Sequence, residues 1–328
     1  MPHNHQQFIE DFERMFGVIP QRDTKFLKRH RIHQGWWRMA VLAEPEGPHP
    51  TRTAETVCNT FNIDKEDPSN KHKNYLDEST PAIVQDAIDR LKNREEKAGL
   101  IGEPRIWNNL LSSQPLAFNF WAPLIKKPYL ANQFLPNLIP GFGSLLAIDF
   151  EWAPEQKYTG DRSAYDVLIK YKNTKNEVVW LGLEVKYTDT FSDKKYDRKE
   201  YRDLYERYHD SVLKADYEEF IEPEYNQLFR NQLIACALDQ HEGRQVKCGL
   251  FITQADEPAR EAGRAYQGML AGGKDQFIIL TYEAFIAALQ QAPLSWEDRQ
   301  WSMMLWARYL GWPLSQEAAS VVHSESAS

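Results

Sequence analysis

The spacing of hydrophobic and polar positions changes several times along the chain, and each change marks an element. From Thr80 to Gly99, apolar residues recur every three or four positions after Pro81, which predicts a helix. Three segments rich in apolar and β-branched residues then lie at 144–152, 164–171 and 178–187. The short polar links between them are typical of hairpins, so we predict an antiparallel three-stranded meander.

Helical patterns flank this meander. A helical pattern starts at Trp107 and is interrupted at Pro115. After the meander a helix opens near Pro223, and residues 245–253 predict a buried strand. The order over 107–253 is therefore helix, three strands, helix and strand. Further helical patterns follow toward the C-terminal end, so we predict an α/β fold.

We divide the chain by the character of its segments. Residues 1–104 are predicted to form a helical N-terminal accessory region, and 105–316 the main domain. Residues 189–221 are rich in charge with tyrosines at helical spacing, which predicts a helical insertion in that domain. The polar tail 317–328 is predicted to be flexible.

The accessory region contains a basic segment, Lys25–Ala43, with five lysines or arginines, no acid and two tryptophans. Such a segment could supply phosphate contacts beside a stacking platform, but a helix that buries Trp36 and Trp37 is the commoner explanation. His30 and His33 have a spacing that could share a metal on a helix. Because no third ligand is nearby, we expect solvated histidines instead.

Composition narrows the class of protein. Hydrophobic residues make up 42% of the 328 residues, with ten tryptophans, which indicates a folded chain. No apolar run approaches a membrane span and the first residues do not resemble a signal peptide, so we expect a cytoplasmic protein. Three scattered cysteines do not make a disulfide framework. The net charge of −8 requires that any nucleic-acid contact come from a local basic surface.

The candidate chemistry lies in LGLEVKYTDT, residues 181–190, at the end of the third predicted strand. Side chains alternate between the faces of a strand, so Glu184 and Lys186 point the same way while Val185 points into the opposite layer. Asp166 lies on the preceding strand, just before the apolar residues VLI. If the two strands pair, Asp166 and Glu184 converge at one end of the sheet beside Lys186.

On Asp166, the Glu-Val-Lys motif and the order of elements, the chain resembles the PD-(D/E)XK nuclease superfamily, and most of all a bacterial restriction-endonuclease-like branch. The resemblance implies a restriction endonuclease-like fold, with an αβββαβ core and a mixed sheet flanked by helices. The superfamily's Pro-Asp dipeptide is absent, because Tyr165 precedes Asp166.

The resemblance also implies an activity: Mg²⁺-dependent endonucleolytic hydrolysis of phosphodiester bonds in DNA, with Mn²⁺ as a substitute. The metal ligands would be Asp166, Glu184 and the backbone carbonyl of Val185. Lys186 would orient and help deprotonate the attacking water, or stabilise charge on the phosphoryl oxygens. Superfamily members often dimerise to cut both strands, which makes a homodimer one expected assembly.

Several assignments stay open at the level of sequence. Glu151 is the first candidate for a third carboxylate and a second ion, and Asp149 and Glu103 compete with it. Gln232 is polar within an apolar helical stripe, where superfamily members often point a side chain into the site. The alternative is an amide satisfied by backbone, and Gln114 has the same ambiguity.

A rival from another class is a noncatalytic nucleic-acid-binding or protein-interaction domain that keeps the nuclease fold. The motif is short enough to occur by chance, with Glu184 and Lys186 as a surface ion pair. RNA and branched DNA also remain open as substrates, because the motif contacts the phosphate and not the base.

Overall fold

The computed structural model describes residues 16–17, 20, 23–52, 54–64, 66–93, 99–192 and 194–316. They group into two compact units. The first takes its described residues from Met1–Glu78, Gly102–Leu116 and Trp296–Ser328, and the second from Ser79–Ile101 and Ala117–Ser295. The predicted boundary at residue 104 stays a prediction, since contacts do not show which segments fold alone. The predicted flexible tail, 317–328, lies outside the described residues.

The helices are α1 (Lys25–Ala40), α2 (Thr80–Lys92), α3 (Arg105–Asn108), α4 (Ser113–Trp121), α5 (Pro123–Lys126), α6 (Pro128–Phe134), α7 (Lys199–Tyr208), α8 (Tyr217–Phe220), α9 (Pro223–Glu242), α10 (Glu257–Gly268), α11 (Tyr282–Gln291) and α12 (Trp296–Tyr309). The strands are β1 (Glu46–Pro48), β2 (Thr56–Phe61), β3 (Phe142–Trp152), β4 (Tyr165–Asn173), β5 (Val178–Val185), β6 (Val246–Ile252) and β7 (Phe277–Thr281). Short 3₁₀ turns lie at Pro68–Asn74, Leu135–Asn137 and Gly273–Asp275. Within the described ranges, no helix is long and apolar enough to cross a membrane.

In the first unit, the basic segment is part of the interior. Helix α1 buries Trp37 in a cluster with Phe61 and Leu110. The guanidinium of Arg38 is buried and donates hydrogen bonds to the carbonyl oxygens of Cys58 and Phe16, at 2.8 and 2.7 Å. Burying a guanidinium is favourable only when its donors find such partners. The commoner explanation, a helix that buries its tryptophans, is therefore the observed one for Trp37, while Trp36 is half-buried.

The expectation of solvated histidines on α1 is wrong. His30 and His33 are both fully buried. The Nδ1 atom of His30 lies 2.8 Å from the Phe26 carbonyl oxygen, and Nε2 of His33 donates to the Ala307 carbonyl at 2.8 Å. The spacing of these histidines serves the packing of α1, because one turn of helix carries both rings to the buried face.

Burial lowers the pKa of both histidines to about 4, against about 6.5 for a free side chain. Above pH 6.5 or so both states are neutral and the stabilisation is complete. As the pH falls toward 4 the unfolded chain takes up protons first, so we expect the free energy of unfolding to fall by up to about 3 kcal/mol per histidine.

Urea unfolding at pH 7.5 and 5.0 measures this loss of stability. His33→Gln should reduce this pH dependence; a variant with the same pH dependence as the wild type would contradict the assignment.

The second unit contains a five-stranded mixed sheet in the order β3-β4-β5-β6-β7. Strands β3, β4 and β5 pair antiparallel, and β5, β6 and β7 pair parallel. The antiparallel meander predicted from the sequence is confirmed, and so is the α/β fold with helices flanking a mixed sheet. The helix that begins at Pro223 and the buried strand at 245–253 are confirmed as α9 and β6.

Each face of the sheet is covered by helices of this unit. One face carries Leu168, Trp180 and Leu250 in a cluster with residues of α7, α8, α9 and α10. The opposite face carries Phe251, whose ring lies 5.4 Å from Trp121 and 5.9 Å from Phe285. Because β5 is buried on both faces, it reads as a nearly continuous apolar run until its last two residues.

Gly182 lets β4 and α9 meet closely over the first of these faces. A Cβ atom at this position would lie 2.3 Å from the Tyr165 ring, so only glycine allows the ring to cross β5. The Tyr165 hydroxyl donates to the Asn231 carbonyl oxygen on α9 at 3.0 Å. The start of β4, the end of β5 and the middle of α9 are thereby held together, and the polar residues of the motif lie there.

Candidate active site

The strand register places three carboxylates in one row. Phe150 pairs with Val167 and Trp152 with Tyr165, so Glu151 on β3 faces Asp166 on β4. Val167 pairs with Leu183, so the next residue pair across β4 and β5 is Asp166 with Glu184. Opposite residues of neighbouring antiparallel strands lie side by side. Pairing thus brings acids from distant parts of the sequence to one end of the sheet.

The Asp166 carboxylate is hydrogen-bonded directly to the backbone of β5. Its Oδ2 accepts a hydrogen bond from the Val185 N–H at 2.7 Å. In an antiparallel ladder the N–H and C=O of one residue point toward the same neighbouring strand, so the Val185 carbonyl also faces β4. The Val185 side chain is buried in the core. The three predicted ligands, Asp166, Glu184 and the Val185 carbonyl, therefore meet at the end of β5.

Both carboxylate oxygens of Glu184 accept hydrogen bonds. Its Oε1 accepts from Lys186 Nζ at 3.0 Å and from Gln227 Nε2 at 2.6 Å. Its Oε2 accepts from Asn231 Nδ2 at 3.1 Å. Lys186 Nζ also donates to Gln227 Oε1 at 2.8 Å, which closes a ring of three side chains. A carboxylate with this many donors is held in one orientation.

The charges of the site act on one another because they are buried. Burial raises the pKa of Asp166 well above its ordinary value, and the carboxylates of Glu184 and Glu151 raise it further. Burial by itself would lower the pKa of Lys186, but Glu184 and Asp166 outweigh it and the pKa is raised. Lys186 is therefore a firmly protonated ammonium beside an excess of carboxylates.

Glu151 lines one cavity with Asp166 and Glu184, of about 610 Å³. Its Oε2 accepts from the Leu100 N–H at 3.2 Å, and its backbone is left-handed, with φ of 47°. The two competing acids lie elsewhere. Asp149 pairs with Lys170 at 2.9 Å. Glu103, in the first unit, accepts from the Trp107 indole at 3.3 Å.

Cations line another part of the same cavity, at Lys92, Arg162 and Arg230. Arg230 donates to the Ser163 hydroxyl at 3.2 Å, lies 3.7 Å from the Asp161 carboxylate and stacks over the Tyr196 ring. Burial would raise the pKa of Asp161, but hydrogen bonds, first from Tyr201 and then from Ser163 and Thr159, lower it overall. Asp161 is thus a fixed anion beside Arg230.

The glutamine that contacts the acidic pair is Gln227, and the sequence had indicated Gln232. Gln232 is buried on α9, where its side chain hydrogen-bonds to Cys236. Gln114, in the first unit, accepts from the Gly102 N–H at 3.1 Å. Sequence reasoning missed Gln227, Asn231 and Arg230. The available signal was amides at i and i+4, which share a helix face.

The donor set suits a hard divalent cation. Among the residues that the structure describes, no group of three or more His, Cys, Asp or Glu side chains could hold a metal by itself. Mg²⁺, however, is usually held by one or two carboxylates together with water and substrate phosphate. Asp166 and Glu184 with the Val185 carbonyl meet that requirement. After burial, the carboxylates of Glu184 and Glu151 also raise the pKa of Asp166, and a cation would offset their charge.

A family model of the PD-(D/E)XK nuclease superfamily matches residues 21–311 of the chain, nearly its whole length. The chain belongs to the PD-(D/E)XK nuclease superfamily. The resemblance inferred from Asp166 and the Glu-Val-Lys motif is confirmed, and the five-stranded mixed sheet agrees with the restriction endonuclease-like core. No curated protein and no solved structure matches the chain.

Members of the PD-(D/E)XK superfamily typically use divalent metals. In this chain the two motif carboxylates and the lysine lie at the ends of neighbouring strands β4 and β5. Helix α9 contributes the amides that orient Glu184. The arrangement can therefore hold a cation next to a protonated lysine, with arginines further along the same cavity.

Proposed function

We propose that this protein is a metal-dependent endonuclease that hydrolyses phosphodiester bonds in DNA in the cytoplasm. The observation that carries the proposal is the meeting of Asp166, Glu184 and Lys186 at the end of β5. The two carboxylates line one cavity with the basic side chains of Lys92, Arg162 and Arg230. An isolated surface ion pair would not explain it, because Glu184 and Lys186 are buried and share Gln227. Cutting both strands of a duplex would need two such sites, which a homodimer would supply.

Asp166, Glu184 and the Val185 carbonyl would hold Mg²⁺, for which Mn²⁺ can substitute. The bound cation supplies charge neutralisation at the phosphate and a water that ionises near neutral pH. Glu151 would approach from β3 as a third carboxylate. Gln227 and Asn231 keep Glu184 in one orientation, so that both of its oxygens stay in place when substrate enters.

Lys186 would donate a hydrogen bond from its ammonium to the attacking water or to a phosphoryl oxygen. Its three donors allow this while it keeps Glu184 and Gln227 as partners. Charge that develops on the phosphoryl oxygens would then meet a fixed cation in a buried site. Arg162 and Arg230 would contact phosphates of the same strand.

The test is incubation of the purified protein with supercoiled plasmid, linear duplex and single-stranded DNA in Mg²⁺, Mn²⁺ or EDTA. Glu184→Ala is assayed beside it, together with Glu177→Gln at the far end of the β4–β5 hairpin, where Glu177 accepts from Asn173. We expect metal-dependent cutting that Glu184→Ala removes and Glu177→Gln keeps. Binding of DNA without cutting of any form would favour the noncatalytic binding domain.

The third carboxylate can be identified in the same assay. We expect Glu151→Gln to lower the cleavage rate about 10- to 100-fold, because Glu151 lines the catalytic cavity. Asp149→Asn should change the rate less than about 2-fold, since its carboxylate pairs with Lys170. Titration of Mg²⁺ should show a higher requirement in Glu151→Gln. The reverse order of the two variants would assign the role to Asp149.

A further inference from the structure

The end of β3 carries an unusual turn of the backbone. Asp149 pairs with Lys170 on the sheet face that also carries Trp180. Trp152, three residues later, would point to the other face of a regular strand. The Trp152 ring instead lies 5.4 Å from the Trp180 ring. The reason is Glu151, which lies between Asp149 and Trp152 and has a φ of 47°. A left-handed glutamate costs conformational energy, and such strain concentrates at functional sites.

Glu151 and the residue that follows it line two different cavities. Glu151 lines the catalytic cavity, and Trp152 lines a second cavity of about 710 Å³, the aromatic groove, whose wall includes Trp152, Tyr158, Lys170 and Trp180. Leu91 lines both. The backbone turn at Glu151 thus lets two consecutive residues of β3 line two different cavities.

The lining of the aromatic groove suits a planar aromatic ligand. The Trp152 ring is half-buried and meets Trp180 at an edge-to-face angle of 86°. The Lys170 ammonium lies 4.7 Å from the Trp180 ring, so the wall combines π faces with a cation. Stacking on such rings does not depend on which base is bound, since every base has a π face.

The charged side chains on the two walls favour a base in the aromatic groove and a phosphate in the catalytic cavity. Two acids, Glu155 and Glu242, line the groove together with two cations that already have partners. Lys170 pairs with Asp149, and Arg90 donates to the Phe150 carbonyl oxygen at 2.8 Å. Carboxylates disfavour a phosphate but accept hydrogen bonds from the amino groups of a base. The catalytic cavity carries Arg162 and Arg230 on its wall, and a cation held by its carboxylates would offset their charge toward a phosphate. Phosphate and base therefore have separate places on either side of Glu151.

We propose that the aromatic groove holds an unpaired base of single-stranded DNA, one that neighbours the phosphate at Glu184. The inference rests on the proposed nuclease function, because it places the base beside the bond to be cut. A base in a duplex is stacked on both faces, so only an unpaired or extruded base can enter the groove. The substrate class is then DNA with a single-stranded segment at the cut.

Binding is measured in a Glu184→Gln background with Ca²⁺, so that cutting does not interfere. Fluorescence anisotropy compares a labelled 12-nucleotide single strand with the matching duplex. We expect Trp152→Ala to weaken single-strand binding about 5- to 150-fold and duplex binding less than 2-fold. Trp152→Phe, which keeps a ring, should restore most of the affinity. Trp296→Ala, in the first unit, is the matched control, because that indole is exposed.

A base analogue gives a readout that mere loss of folding cannot mimic. We expect 2-aminopurine in the single strand to be quenched on binding, with the quenching lost in Trp152→Ala at saturating protein. Equal weakening of single strand and duplex, or no effect of Trp152→Ala, would overturn the inference. Trp152-dependent single-strand binding in a wild-type protein that cuts nothing would support the groove and reject the nuclease.

Discussion

Lys186→Ala is expected to lower the cleavage rate at least about 100-fold, and by up to about 10,000-fold, while metal binding persists. The lysine contributes the buried ammonium of the site, which lies 3.0 Å from Glu184 Oε1. Without it, the site loses the ammonium that would donate to the attacking water or to the phosphate. The Glu184 carboxylate still accepts from Gln227 and Asn231, so the metal ligands keep their orientation.

Removal of one member of a buried ion pair lowers the free energy of unfolding, here by about 3 kcal/mol in EDTA. Thermal melts therefore accompany the rate measurement, and calorimetric titration with Mn²⁺ measures metal binding. Lys186→Met keeps the aliphatic stem and should lose cleavage with a smaller change in stability. Lys175→Ala, in the hairpin at the other end of the strands, should behave as wild type. Normal cleavage by Lys186→Ala would reject the assigned role.

Asp166→Asn is expected to abolish metal-dependent cleavage and, in EDTA at pH 7 to 8, to stabilise the fold by about 0.5 to 2 kcal/mol. The asparagine Oδ can still accept from the Val185 N–H. What it removes is a buried negative charge beside Glu184 and Glu151, which raise the pKa of Asp166. Activity and apo stability are therefore expected to change in opposite directions.

The sign of the pH dependence follows from that raised pKa. Above about pH 3.9 the unfolded chain releases the Asp166 proton, while the folded protein holds it to a higher pH. The wild-type protein should thus lose stability as the pH rises through this window, and Asp166→Asn should lose less. Melts in EDTA and in Mg²⁺ measure both effects. Mg²⁺ should stabilise the wild type and leave the variant unchanged; equal stabilisation would place the metal elsewhere.

Much of the core could be predicted from local pattern. The strands were recognisable because β5 is buried on both faces and reads as an apolar run, and because short polar links separate β3, β4 and β5. Pro223 and the stripe behind it were sufficient for α9. The hairpin-like link predicted that the strand of Asp166 pairs with the Glu-Val-Lys strand, and side-chain alternation then placed Asp166, Glu184 and Lys186 on one face.

Other features depended on contacts that no local pattern contains. Gln232 and Gln227 are both polar residues of α9, and only the packing of that helix on the sheet decides which amide meets Glu184. The buried state of His33 likewise depends on α12, a segment far away in the chain, and His30 packs against Trp312 just after it. A single sequence gives the order of residues along the chain, but not which distant residues become neighbours in the fold.

The sequence by itself determined the order of elements, the superfamily and the acidic pair with its lysine, because these follow from periodicity and from a short motif on two consecutive strands. The tertiary structure decided the supporting groups: Gln227 and Asn231 on Glu184, Glu151 opposite Asp166, and Trp152 turned beside it. The physical reason is that hydrophobic alternation is local, whereas the partners of a buried charge are selected by helix packing and strand register.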